Sequence, residues 1–566
     1  MTKVDLLVEN ASVYNSYLRH FQKRNVSILN GKFYWIGQDL SGIEAKRVIN
    51  LDGKYLVPGL VDSHMHIESS MTTPTEFGKA VAKFGTTTVI ADAHEIANVA
   101  GIKGLKEYMD LPSLIDVFYA IPSSVPSTNP QLETTGGIIA EKEVEELLDD
   151  SKIICLGEAM NFKGLTSEPD SLIRKLIAIC RKKRPTMPIE GHSPKYLGED
   201  LAKFIYSGVT SDHTQQTVES LLEKVSNGMF IQIQRKSMSR DIIQAIIANN
   251  LFEHVALVTD DVMADDLRYG HLNELVKMAI NFGMSPADAV YISSYTPARR
   301  MGLWDRGAIA PGRVADFIVL DTLDDFTINA VYKSGVAIKD FESESKIKNV
   351  FSNELSNSVQ ANKLGITDLE IVTDVKNGTI TANVIRISEV GTFTSKEKIP
   401  MEVKNYQVQW QNAGVALLVI QERYGNSGEL TFGFVKNAIT HAGAIAATWA
   451  HDHHNLMVMG TKLKDMVVAQ NKIIDEQGGF VVARNEEIVA NVPLPIGGVV
   501  SEEPIEILGA TLATVRNEMR ILGYKNTNEI MSFSTLSLLV SPALKMSDKG
   551  LFDVKTQTRV PLFEKK

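Results

Sequence analysis

His64 and His66 stand one residue apart at the close of an apolar run, VPGLVDSHMH. In an extended chain residues i and i+2 point to the same side, so both imidazoles can reach one metal ion. Glu158, His192, His213 and Asp260 follow, each near the end of a later apolar run: KIICLGEA, MPIEGH, GVTSDH and HVALVTDD. Singly, each of these four reads best as a cap, turn or core residue. Jointly, with the two histidines, they are six metal-competent side chains in matching places. Neutral imidazoles and carboxylates without a thiolate make a borderline-hard donor set suited to Mn, Fe(II) or Zn, and this many donors suit two ions rather than one. A carboxylate from the fourth run can bridge them. Two ions roughly 3.5 to 4 Å apart can share a water and lower its pKa from about 15.7 toward 7, which makes hydroxide available at neutral pH.

Weaker signals surround this set. His94 and Glu95, read as closing the second run, are candidates for the pocket or for additional metal ligation. Glu68 and Ser69 lie just past the two histidines and Asp261 lies beside Asp260, where each can hydrogen-bond a substrate or orient a ligand. Arg235, at the end of the seventh run, is a candidate for substrate contact or for a surface ion pair. The string AHDHHN places His at 451, 453 and 454, a spacing that fits neither one strand face nor one helix face. It reads as a polar turn, or as an approach to the active face or to an additional ion. The run RKKR at 181–184 reads as the solvated end of a helix.

The elements that must position these groups are eight apolar runs ending near residues 66, 94, 123, 159, 192, 213, 234 and 261, separated by helical stretches such as EKEVEELLDD and DIIQAIIANN. Eight strand–helix units over this span match the roughly 250 residues of a (β/α)8 barrel, whose strand ends converge on one catalytic face. An open doubly wound sheet is the rival. Residues 1–58 alternate short apolar runs with turns, and GRVADFIVLD with INAVYKSGVAI follows the barrel. The expected organisation is a flanking small β-sandwich from 1–58 and 301–345, a barrel at 59–300, a polar connector, and an α+β domain at 361–566. In that last domain ITANVIRI, VALLVIQE and GGFVVAR read as strands, AGAIAATWA and PIEILGATLATVRNEMRILG as helices.

Composition narrows the function class. The chain has 566 residues, 44% hydrophobic and 22% charged, which is globular and too long for one core. Its net charge of −10 disfavours nucleic acid as a partner. Two cysteines, Cys155 and Cys180, are too few for a disulfide framework, so a reducing cytoplasm is expected, and no apolar stretch of membrane-spanning length occurs.

At this point the strings resemble the amidohydrolase superfamily of metal-dependent hydrolases: PGLVDSHMH opens the barrel and GRVADFIVLD returns the chain to the flanking sheet. Together with ADAHEIANV, GEAMNF, EGHSP, TSDHT, VTDD, AHDHHN and KGLFDV, they look like the bacterial adenine deaminases along essentially the whole chain. The resemblance implies hydrolytic deamination of adenine to hypoxanthine and ammonia in purine salvage, with a metal-bridging hydroxide attacking C6. It implies two divalent ions, Mn(II) first with Fe(II) or Zn as alternatives. His64, His66 and Asp260 would hold one, and His192 and His213 the other. Asp260 would also shuttle the proton. Where many superfamily members carry a carbamylated lysine, this chain has Glu158, with Lys152 before it and Lys163 beyond; Glu158 either bridges the ions or donates a proton to the ring. A homo-oligomer, a dimer, is expected.

Two rivals remain. A cyclic-amide hydrolase of the dihydroorotase or hydantoinase kind would use the same hydroxide, but such relatives commonly keep the lysine and lack the long carboxy-terminal part. A non-catalytic scaffold would have lost ligands that are retained here. A zinc deaminase of the HxE and PCxxC type fails, because no CxxC exists.

Overall fold

The computed structural model of the protein describes residues 2–341 and 349–564. Part of the expected 301–345 segment, part of the connector, and both chain ends lie outside the described residues.

Eight parallel strands form the middle of the chain. Leu60–Met65, Thr86–Ala91, Asp116–Ile121, Ile153–Ala159 and Ile189–Gly191 make one set, and Ser211–Asp212, Phe230–Ile233 and Val255–Leu257 the other. The sets meet on one side where Thr210 N donates to Ile189 O at 2.9 Å, and on the other where Met65 pairs with Asp260 in a parallel bridge. This is the (β/α)8 barrel. Most of these strand residues are buried, which is why the strands read as continuous apolar runs rather than alternating ones.

Local chemistry sets the helices. In Arg240–Ala248 the Ser239 hydroxyl accepts from Ile242 N at 3.3 Å and fixes the start, while Ile242, Ile243 and Ile246 fall on one buried face. Each such isoleucine contributes about 1.5–3 kcal/mol by leaving water. His94 and Glu95 do not close a strand as expected. The second strand ends at Ala91, the chain turns through Asp92 and Ala93, and helix His94–Met109 begins with them. That helix is interrupted at Gly101, where φ is 62° and a side chain would be strained. The RKKR run closes helix Leu172–Lys183 as expected, with Lys182 and Lys183 exposed, while its two arginines are half-buried. Arg181 donates to Met187 O at 2.7 Å and Arg184 to Asp150 O at 3.0 Å, so both guanidiniums tie down backbone carbonyls.

The segments before and after the barrel connect into a single eight-stranded sheet with its own apolar core, including Leu6, Val8, Phe33 and Phe317. Its seam is the antiparallel pairing of Tyr55–Pro58 with Phe317–Thr322, where Pro58 lies opposite Phe317.

The carboxy-terminal part is a nine-stranded sheet covered by helices Leu463–Asp475 and Ile505–Ile521. The expected helix AGAIAATWA is instead the strand Ala444–Ala447, between Leu456–Gly460 and Gly479–Arg484. A short run whose one polar residue is Thr448 carries no period that separates helix from strand, and burial on both faces decides it. This part packs on the barrel through one continuous apolar cluster that contains Val99, Trp449 and Leu508. Trp449 Nε1 donates to Glu68 O at 3.3 Å and Ser501 N to Met71 O at 2.9 Å.

Candidate metal centre

All six residues read from the strand ends converge. Glu158 lies at their centre: Oε1 is 2.9 Å from His66 Nε2, 3.2 Å from His64 Nε2 and 3.5 Å from His213 Nε2, while Oε2 is 3.3 Å from His192 Nδ1. Asp260 Oδ1 stands 3.6 Å from Nε2 of both His64 and His66. The donors fall into two groups, His64–His66–Glu158–Asp260 and Glu158–His192–His213, in each of which the ligand atoms lie within 4.8 Å of one another. Glu158 is common to both. Only His192 is substantially open to solvent, at 36% of its side chain, so access is from its side.

The backbone holds each donor in place. Asp92 Oδ2 accepts from Glu158 N at 2.9 Å, and Ser123 and Ser124 hydroxyls both donate to Glu158 O at 2.7 and 2.9 Å. His66 Nδ1 pairs with Asp92 O at 2.9 Å, which assigns the proton to Nδ1 and leaves Nε2 free to face inward. Asp260 has a left-handed backbone, φ 58°, and its N and O bond to His64 O and His66 N at 3.2 and 3.4 Å. The last strand is thus registered on the first by the residues that carry the donors.

The electrostatics suit a cation. Burial would raise the Glu158 carboxyl, yet the surrounding imidazoles outweigh it and hold it well below the usual carboxylate range; Asp260 is held low in the same way by His64 and His66. Burial opposes charge on His64, but its contacts with Asp260 and Glu158 raise it to about 10. His213 is lowered to about 3, by burial and by His64, whose ring stacks on it at 3.9 Å. Buried His64 Nε2 stands between two carboxylates with no hydrogen bond in line. That geometry fits a lone pair aimed at a metal ion, and the donor chemistry fits first-row divalent ions.

The remaining expected residues sit around this centre. Glu68 is buried with Oε1 accepting weakly from Ile96 N at 3.5 Å, and burial pushes its carboxyl up to about 7. Ser69 donates to Asp261 Oδ1 at 2.6 Å, tying the turn after the first strand to the turn after the last. Arg235 is exposed, and its neighbour Lys236 reaches the centre instead, with Nζ 3.8 Å from Asp260 Oδ2. His94 packs edge-on against His66 at 4.7 Å, with Glu95 beside it and His451 against Glu95. Lys152 binds Met109 O and Lys163 binds Glu168, so neither lysine enters the centre. Asp92, the two serines and Lys236 were missed. Only Asp92 carried a signal, an acid directly after a strand in ADAH.

Comparison with known proteins agrees along the whole chain. Residues 55–352 match the amidohydrolase family and residues 391–558 the adenine deaminase C-terminal domain. The chain is 60% identical to an adenine deaminase of Lactobacillus delbrueckii subsp. bulgaricus, covering 100% of each chain. It is 56% identical to adenine deaminase 2 of Oenococcus oeni over 99% of each. It is 50% identical to an adenine deaminase of Clostridium perfringens over 100% of this chain and 99% of the other.

Proposed function

The chain belongs to the adenine deaminase family of amidohydrolases, and from that membership we propose that it hydrolyses adenine at C6 to hypoxanthine and ammonia through the cluster around Glu158. The observation that carries the site assignment is a single carboxylate in contact with four imidazoles, with Asp260 beside it.

The donor set would hold two divalent ions, with Mn(II) as the first choice and Fe(II) or Zn(II) able to replace it. His64, His66 and Asp260 would serve one, His192 and His213 the other, and Glu158 both. When bound, such ions make a water acidic enough to act as nucleophile at neutral pH.

Glu158 is assigned the holding role, because both its oxygens face imidazoles and neither is left to reach a ring nitrogen. Asp260 differs. Its Oδ1 faces His64 and His66, while Oδ2 turns toward Lys236, so one oxygen stays available to exchange protons. The reaction needs that exchange: both protons of the water leave its oxygen, one ending on N1 of the ring and the other on the departing nitrogen. Asp260 carries them, since amine departs as ammonia far more readily than as amide ion. The donors other than His192 are nearly closed to solvent, so bulk water is largely excluded and the substrate would enter past His192.

At the bridging place stands Glu158, with Lys152 and Lys163 engaged elsewhere, and this weighs against the cyclic-amide reading. The deciding assay offers adenine, adenosine and a cyclic amide to the purified protein, first chelated and then resupplied with Mn, Fe(II) or Zn. Metal-dependent ammonia release from adenine alone is expected; ring opening of the cyclic amide without ammonia release would overturn the reading.

A further inference from the structure

Behind His66, the barrel and the carboxy-terminal sheet each bring two metal-competent side chains to one point. His94 and Glu95 open the helix after the second barrel strand, and His451 and Asp452 lie in the turn between strands Ala444–Ala447 and Leu456–Gly460. One donor atom from each of the four lies within 4.8 Å of the others, and all four residues are buried. None of them belongs to the Glu158 cluster.

The contacts within this group are close, yet they are not hydrogen bonds. Glu95 Oε1 lies 2.5 Å from His451 Nδ1 and 3.5 Å from His94 Nε2, and His451 Nδ1 lies 3.4 Å from Asp452 Oδ1. Even so, Glu95 Oε1, His451 Nε2 and Asp452 Oδ2 have no hydrogen-bond partner despite being buried. Buried polar atoms are almost always paired, so the unpaired Glu95 Oε1, which faces both imidazoles, calls for a missing partner. Donors that crowd together out of line for hydrogen bonding are what a shared cation would collect.

The surroundings orient these side chains as metal ligands are usually oriented. Glu95 Oε2 is bound by His454 Nε2, and the His451 backbone is clamped by Ser534 Oγ at 3.1 Å and Ser537 Oγ at 2.7 Å. We propose that His94, Glu95, His451 and Asp452 form a separate site for one divalent first-row metal ion that fastens the carboxy-terminal sheet to the barrel. Two imidazoles and two carboxylates, all from protein, match a closed structural site for Zn(II), Mn(II) or Fe(II) rather than a catalytic one with an open position. The inference does not depend on which substrate the Glu158 cluster handles.

The test is a crystal of the full-length protein grown in excess manganese, with anomalous diffraction recorded at the manganese edge. A peak among the four side chains is expected. Its absence overturns the proposal whatever the Glu158 cluster contains, and peaks at that cluster are read separately as a test of the catalytic reading. In solution, His451→Asn and Asp452→Asn should each lower the metal bound per chain by about one equivalent. Each should also lower the melting midpoint in manganese but not in chelator. Metal content unchanged in both variants would equally overturn it, and should neither variant fold, the parent's anomalous map decides.

Discussion

Lys224 Nζ and Asp212 Oδ2 meet at 2.7 Å with at most 1% of either side chain exposed. Lys224 also donates to Ser193 O at 2.9 Å, and Asp212 accepts from Ser193 N at 2.8 Å. Ser193 follows His192 and Asp212 precedes His213, so this ion pair fixes the backbone of both histidines from below. Lys224→Met would leave a buried carboxylate unpaired, which costs about 3–5 kcal/mol. Urea denaturation reads the loss directly, and a change under about 1 kcal/mol would show that the pair is not what holds these strand ends.

Asp260→Asn keeps the shape of the side chain but removes its ability to carry a proton. The expected result is a kcat lower by about 10²- to 10⁴-fold with KM little changed. Metal analysis of the variant separates the shuttle role from ligation: full turnover with both ions in place would sink the shuttle.

Chelation should abolish turnover and lower the melting temperature, with manganese restoring both. An ion that binds only the folded chain stabilises it by about 2.7 kcal/mol at a hundredfold excess over its Kd. Glu158→Gln should show a smaller response, because the one carboxylate facing all four imidazoles would be neutral, and what remains would come from the separate site at His94, Glu95, His451 and Asp452. Calorimetric melts of parent and variant, with and without manganese, make the comparison; equal manganese stabilisation of the two would argue against Glu158 as the shared ligand.

Lys545 is buried, its ammonium bonded among the described residues to the carbonyls of Thr392 and Thr535 at 2.9 and 2.7 Å, and burial draws its pKa down from 10.5 to about 7. Between pH 7 and 10.5 the unfolded chain therefore holds a proton that the folded chain has released. This contribution to stability is complete above the unfolded pKa and is lost as pH falls toward the folded one, at about 1.4 kcal/mol per pH unit or less. Lys545→Met should flatten that slope between pH 7 and 9.5, roughly the window set by the shift. Denaturation at several pH values checks it, and parallel slopes in parent and variant would contradict the assignment.

The barrel and its six donors were legible because two regularities coincide in the sequence. Parallel strands buried on both faces read as apolar runs, and each run here ends in a residue, such as Glu158 or His213, whose type is out of keeping with a core. His94 and Glu95 were placed on a strand end because the apolar run gives no sign of where the extended chain stops and the helix starts. AGAIAATWA reads as a helix because its one polar residue, Thr448, is too little to betray a period. Lys236 was passed over for Arg235, since the direction of a side chain in a single turn after a strand depends on backbone angles that spacing does not encode. Nor does linear order indicate that His451 would face Glu95; only packing brings together positions so far apart.

The hydrogen-bonded seam between Pro58 and Phe317 means that the chain departs from the small sheet and comes back to it at neighbouring points. Topologically the whole catalytic barrel is therefore one long excursion spliced between adjacent strands, with its entrance and exit knotted together by main-chain bonds. Fraying of that seam would free both ends of the excursion at once, so the small sheet ties the barrel's entry to its exit.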